Sequence, residues 1–142
     1  MNLRPARTLK LSLKQILVLV GLIGIFVSGC DTLHTRRYEI TRVTSGSADA
    51  VKLETILQKV ADQAGLKATP PASGDYLAFY SGGGPALTTL QATFSKDAVL
   101  IQLVGGYGTP PEYKDARRLL SPALAAEFGD RVIDATHSVP KP

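Results

Sequence analysis

Apolar positions recur with two different periods along residues 38–137, and each period predicts its own elements. Tyr38 to Val43 (YEITRV) is short and rich in β-formers, which predicts a first strand. Asp49 to Ala64 places Leu53, Ile56, Leu57, Val60 and Ala64 at helical spacing, with Lys52, Glu54, Gln58, Lys59 and Asp62 filling the other face. Ser45 or Ser47 can cap that helix, Gly65 can close it, and Leu66 is placed for the hydrophobic contact that follows such a stop.

Ala68 to Gly74 contains Pro70 and Pro71 and reads as a loop, Tyr76 to Tyr80 (YLAFY) as a strand, and Ser81 to Pro85 (SGGGP) as irregular. Leu90, Ala92 and Phe94 alternate with Gln91, Thr93 and Ser95, the mark of a strand with one buried face. Ala98 to Val104 (AVLIQLV) is almost wholly apolar, so it is expected as a central strand covered on both faces, forming a hairpin with the preceding run around Lys96. Gly105 to Pro111 (GGYGTPP) is a second glycine loop. Thr109 and Glu112 have capping-box spacing, with Pro110 at the first helical position. The second helix takes its apolar face from Ala116, Leu119, Leu120 and Leu124, is expected to kink or divide at Pro122, and stops at Gly129. Arg131 to Thr136 (RVIDAT) reads as a last strand at a sheet edge.

The order β-α-β-β-β-α-β predicts an α+β two-layer sandwich: an antiparallel or mixed sheet of four to five strands with two helices. It resembles the ferredoxin-like β-α-β-β-α-β pattern with one extra strand between the helices.

The N-terminal pattern is of another kind. Arg4, Arg7, Lys10 and Lys14 form a basic stretch without an acid, and Ile16 to Val27 (ILVLVGLIGIFV) is an uncharged apolar run of 12 residues. This is the layout of a secretory signal peptide. A helix of that length rises about 18 Å, short of a hydrocarbon core of about 30 Å. At its end, Val27-Ser28-Gly29-Cys30 resembles the lipobox of bacterial lipoproteins. The resemblance implies cleavage between Gly29 and Cys30, acylation of Cys30 with palmitate-like chains, and a mature protein that begins at Cys30. Two or three chains anchor stably where one holds only marginally. Asp31 resembles the sorting residue that retains enterobacterial lipoproteins, which implies the periplasmic face of the inner membrane ahead of the outer. The expected organisation is a signal peptide over 1–29, a lipidated cysteine and tether over 30–37, one small domain over 38–137 and a tail over 138–142. The five residues from Asp31 to Thr35 span at most about 18 Å, so the domain sits against the membrane that holds it.

Composition removes several alternatives. Cys30 is the chain's one cysteine, so neither an internal disulfide nor a cysteine zinc site can form. The net charge of +4 suggests nucleic acid, but four of the 16 basic residues and none of the 12 acids lie in the signal peptide. The mature chain is neutral, and no basic stripe remains for phosphates. Arg36 and Arg37 read as a solvated strand start. His34, in the tether, and His137, near the tail, lack the converging ligands of a metal site.

Ser81, Gly82, Gly83 and Gly84 form one candidate ligand or partner loop, and Gly106 with Tyr107 a second. Neither has a Gly-x-Ser-x-Gly elbow or a phosphate-binding lysine. Each is expected first as a glycine turn, with backbone N–H groups available to an anion only if the loops converge. No cofactor is implied. The leading expectation is a non-catalytic interaction domain of an envelope lipoprotein, the partner or subunit of an envelope complex. The alternative is a small-ligand or cell-wall-binding module, or a hydrolase, using the two loops.

Overall fold

The computed structural model describes residues 33–69 and 75–137. The expected cleavage site at Gly29 and Cys30, the sorting residue Asp31, most of the proline loop and the tail from Ser138 lie outside the described residues. The described residues fall within one compact unit. Its elements are β1 (His34–Thr41), α1 (Ala48–Ala64), β2 (Lys67–Thr69), β3 (Tyr76–Ser81), a 3-10 turn (Gly84–Ala86), β4 (Thr88–Phe94), β5 (Ala98–Gly105), α2 (Pro111–Phe128), a second 3-10 turn (Gly129–Arg131) and β6 (Val132–Asp134). The strands form one antiparallel sheet in the order β2-β3-β4-β5-β1-β6. The fold is therefore α+β with two helices, and the sheet has six strands rather than four or five. The uncounted strand is β2, three residues that are all exposed and so lack any apolar alternation.

Local chemistry explains α1. Ser47 Oγ accepts the Ala50 N–H at 3.1 Å, Gly65 takes φ 77°, and the Leu66 N–H returns to the Ala61 carbonyl at 2.8 Å. Leu66 is buried beneath that turn. Helix α2 departs from expectation twice. It begins at Pro111 with Pro110 at the cap position and no side-chain cap, because Thr109 is held at φ 50° and its hydroxyl turns elsewhere. The expected capping box does not form. Nor does Pro122 divide the helix, which is assigned without a break from Pro111 to Phe128. Pro122 removes a single N–H, while the buried face of Ala116, Leu120, Leu124 and Phe128 continues past it.

Register explains the core. Ile40 pairs with Val99, Tyr38 with Ile101, Ile101 with Ala92, and Leu90 with both Leu103 and Phe79. These side chains share one face of the sheet and join Leu53, Leu57, Val60, Leu120 and Leu124 of the helices in one buried cluster. The alternate positions point away from the helices. Leu100 is 37% exposed, so β5 is covered on one face and not on both.

At one end, Arg131 donates to Asp49 Oδ2 at 2.7 Å, and Lys52 Nζ lies 2.9 Å from Glu127 Oε1, joining the start of α1 to the end of α2. The Arg131 hydrogen bond holds the Asp49 carboxyl below its ordinary value of 3.8. A lowered carboxylate supports the fold above that ordinary value and loses its contribution as the pH falls through the lowered one. The stability difference between wild type and Asp49→Asn is therefore expected to be full at pH 6 and to shrink below 3.8. Urea midpoints across that range measure it.

Candidate functional site

Strand pairing gathers the sequence candidates at one end of the sheet. Ser81 pairs with Thr88, Thr88 with Gly105, and Gly105 with His34, so both glycine loops leave the sheet from the same edge. They meet directly. The Gly106 N–H donates to the Leu87 carbonyl at 2.7 Å, and a Cβ at Gly106 would overlap the Pro85 carbonyl oxygen. Gly82, at φ 73°, lets the first loop fold back, since a Cβ there would stand 2.6 Å from the Ala86 carbonyl oxygen. Gly83 is extended and open, and Gly84 starts the 3-10 turn. The convergence needed for a ligand mouth is present. The Gly106 donor within it is already committed to the other loop.

His34, Thr109 and Tyr113 complete this end; the sequence already places Thr109 in the second loop and Tyr113 near a mouth formed by the two loops, and only His34 is a newcomer to the site. His34 belongs to β1 and not to the tether. Its Nε2 lies 2.8 Å from Thr109 Oγ1, and its ring is 5.8 Å from that of Tyr113. Tyr113 is buried and lies over Gly105, where a Cβ would come within 2.6 Å of the ring. The first strand, the second glycine loop and the start of α2 are thus tied together. No local spacing announces a bond between residues 75 apart in sequence.

The hydrolase alternative requires a base on Ser81. Among the described residues no imidazole or carboxylate is hydrogen-bonded to it. Three strand spacings separate Ser81 from His34 along the row, about 14 Å. Thr88 Oγ1, between them, is buried without a partner among the described residues. Among the described residues no group of three or more His, Cys, Asp or Glu could hold a metal. His137 is exposed and Arg36 reaches Asp134 at 4.0 Å. The Thr136 side chain and backbone N–H hold the Asp134 carboxyl below its ordinary value.

A groove of about 560 Å³ lies away from the loops between α1 and β3. Its polar lining is the solvated side of α1, including Gln58, which donates to Asp62 at 2.8 Å. None of the candidate loop residues lines it.

The helix-free face of the sheet is the other notable surface. Tyr80, Leu100 and Ile133 stand on it at 42%, 37% and 49% exposure, among Glu39, Thr89, Gln91, Thr93 and Gln102. Arg37 lies on this face with its Nε shielded from water and lacking a partner among the described residues. Among the described residues no helix is long and apolar enough to cross a membrane. No family model, curated protein or solved structure matches the chain.

Proposed function

We propose that the chain is a bacterial envelope lipoprotein, anchored through acylated Cys30 at the periplasmic face, in the inner membrane ahead of the outer. Its domain is read as a non-catalytic interaction module, the partner or subunit of an envelope complex. The architecture is read as a two-layer sandwich of ferredoxin-like type. On that reading β6-β1-β5-β4 form the four-strand core, and β2 and β3 widen it.

The bare sheet face is the observation that supports a partner. Mixed apolar and polar side chains form a surface that a protein can cover while satisfying what it buries. The convergence of the two loops favours the ligand-binding alternative, while their direct packing on one another leaves that reading second.

Cys30→Ala is expected to block lipid attachment and to remove the chain from the acylated membrane fraction, read by mass spectrometry of the mature N-terminus. The same membranes test the partner. The intact chain should capture a partner at near-equal stoichiometry, and Leu100→Lys should release it. The lysine keeps the strand because it faces Glu39 across the β1–β5 pair. An unmodified Cys30 defeats the anchor reading. Absence of a partner from the intact protein moves the reading to ligand or cell-wall binding.

A further inference from the structure

The end of the sheet at which the two glycine loops meet is also the end from which the N-terminal segment departs. Leu33, immediately before β1, is 60% exposed, Tyr107 in the second loop 48%, and Leu87 after the first loop 38%. Tyr80 lies one pair inward. Residues 81–87 and 105–110 contain no charged side chain. The opposite end is built differently, with Arg42, Lys96, Asp97, Asp130 and Arg131 in its turns. Beside the uncharged tip stand the cations Lys67, opposite Tyr80, and Lys114 and Arg117 on the first turns of α2, where Glu112 is the one acid not paired with an arginine, Asp115 being bound to Arg118. All three are exposed, and none has an ion pair among the described residues.

An apolar tip with a tyrosine, bordered by unpaired cations, matches the polarity gradient of a bilayer with anionic headgroups. Chain length points the same way. His34 follows Cys30 by four residues, so the strand start lies at most about 14 Å from the acylated cysteine. We propose that Leu33, Leu87 and Tyr107 form a shallow insertion surface for an anionic phospholipid bilayer, standing the sheet end-on upon the membrane that anchors it. This rests on the lipid-anchor reading of Cys30 and adds to it an orientation. The bond from the Gly106 N–H to the Leu87 carbonyl then has a purpose, since it satisfies one backbone donor and one acceptor of the loops before they meet lipid.

The chain contains no tryptophan, so one introduced residue reports alone. Full-length protein carrying Tyr107→Trp, Leu87→Trp or Val51→Trp is purified from membranes and reconstituted into phosphatidylethanolamine–phosphatidylglycerol vesicles with acyl chains brominated near the headgroup. Val51, 58% exposed in the first turn of α1, is the control at the other end. Tyr107→Trp and Leu87→Trp are expected to emit at shorter wavelength and to lose roughly half or more of their intensity to bromine, as a residue at interfacial depth must, while Val51→Trp is unchanged. An acylated protein that floats with the vesicles but shows unquenched Tyr107→Trp overturns the orientation and leaves the anchor standing. Equal quenching of all three probes also overturns it. Protection of Tyr107→Trp from aqueous acrylamide without bromine quenching also overturns it, because a second copy of the chain then covers this end. Unmodified Cys30 in a chain that fails to float removes anchor and orientation together.

Discussion

Gly106→Ala should unfold at markedly lower urea than wild type, a loss of about 1–3 kcal/mol, the size expected for overpacking against atoms that cannot yield. The new Cβ would meet the Pro85 carbonyl oxygen and carbon and stand 3.0 Å from the Leu87 carbonyl oxygen, all of them backbone. No rotamer change relieves that overlap. The loops must separate, and the 2.7 Å bond from Gly106 to Leu87 goes with them. Gly83→Ala supplies the contrast. Gly83 is extended at φ −165° with nothing near its missing Cβ, so the substitution is expected to stay within about 0.5 kcal/mol of wild type. Equal midpoints for the two variants would show that the loops do not depend on their mutual contact.

Tyr113→Ala is expected to cost about 3–5 kcal/mol, the range for removing a buried aromatic ring. The ring is 3% exposed and lies over Gly105 at the end of β5, with His34 of β1 5.8 Å away. Truncation opens a cavity where β1, β5 and the first turn of α2 meet. The bond between His34 and Thr109 loses the ring beside it. Tyr113→Phe keeps the ring and should retain most of the stability. Denaturant unfolding of both variants, with m values compared, separates a cavity from a change in the unfolded chain.

Much of this fold is legible in the residues, and the gaps have physical causes. Ser47, the spacing from Leu53 to Ala64, and Gly65 delimit α1 almost to the residue, because capping and helical periodicity are local. The alternation at Leu90, Ala92 and Phe94 identifies the buried face of β4 for the same reason. His34 to Arg37 has no apolar pattern. Its strand conformation comes from pairing with Leu103, Val104 and Gly105, distant in sequence. The run AVLIQLV reads as doubly buried because an apolar string does not reveal that the helices cover one face only. Thr109 and Glu112 had the right spacing for a box, but spacing is silent on the positive φ that turns Thr109 to His34. The candidate loops were recognisable from their glycines. Their convergence was not, since it follows from the position of β4 between β3 and β5.

The place of β1 also bears on the order in which the molecule can be made. As the chain is synthesised, β1 precedes every other strand, yet its neighbours are β5 and β6, the last two. Thr41 finds its partner at Ala98, and Tyr38 finds its second partner at Asp134. Closing so long a loop before any contact rewards it is slow. A nascent chain that has reached only β4 can pair β2, β3 and β4, but it holds its first strand unmatched. The domain thus closes late, when its C-terminal third supplies the two partners of its first strand.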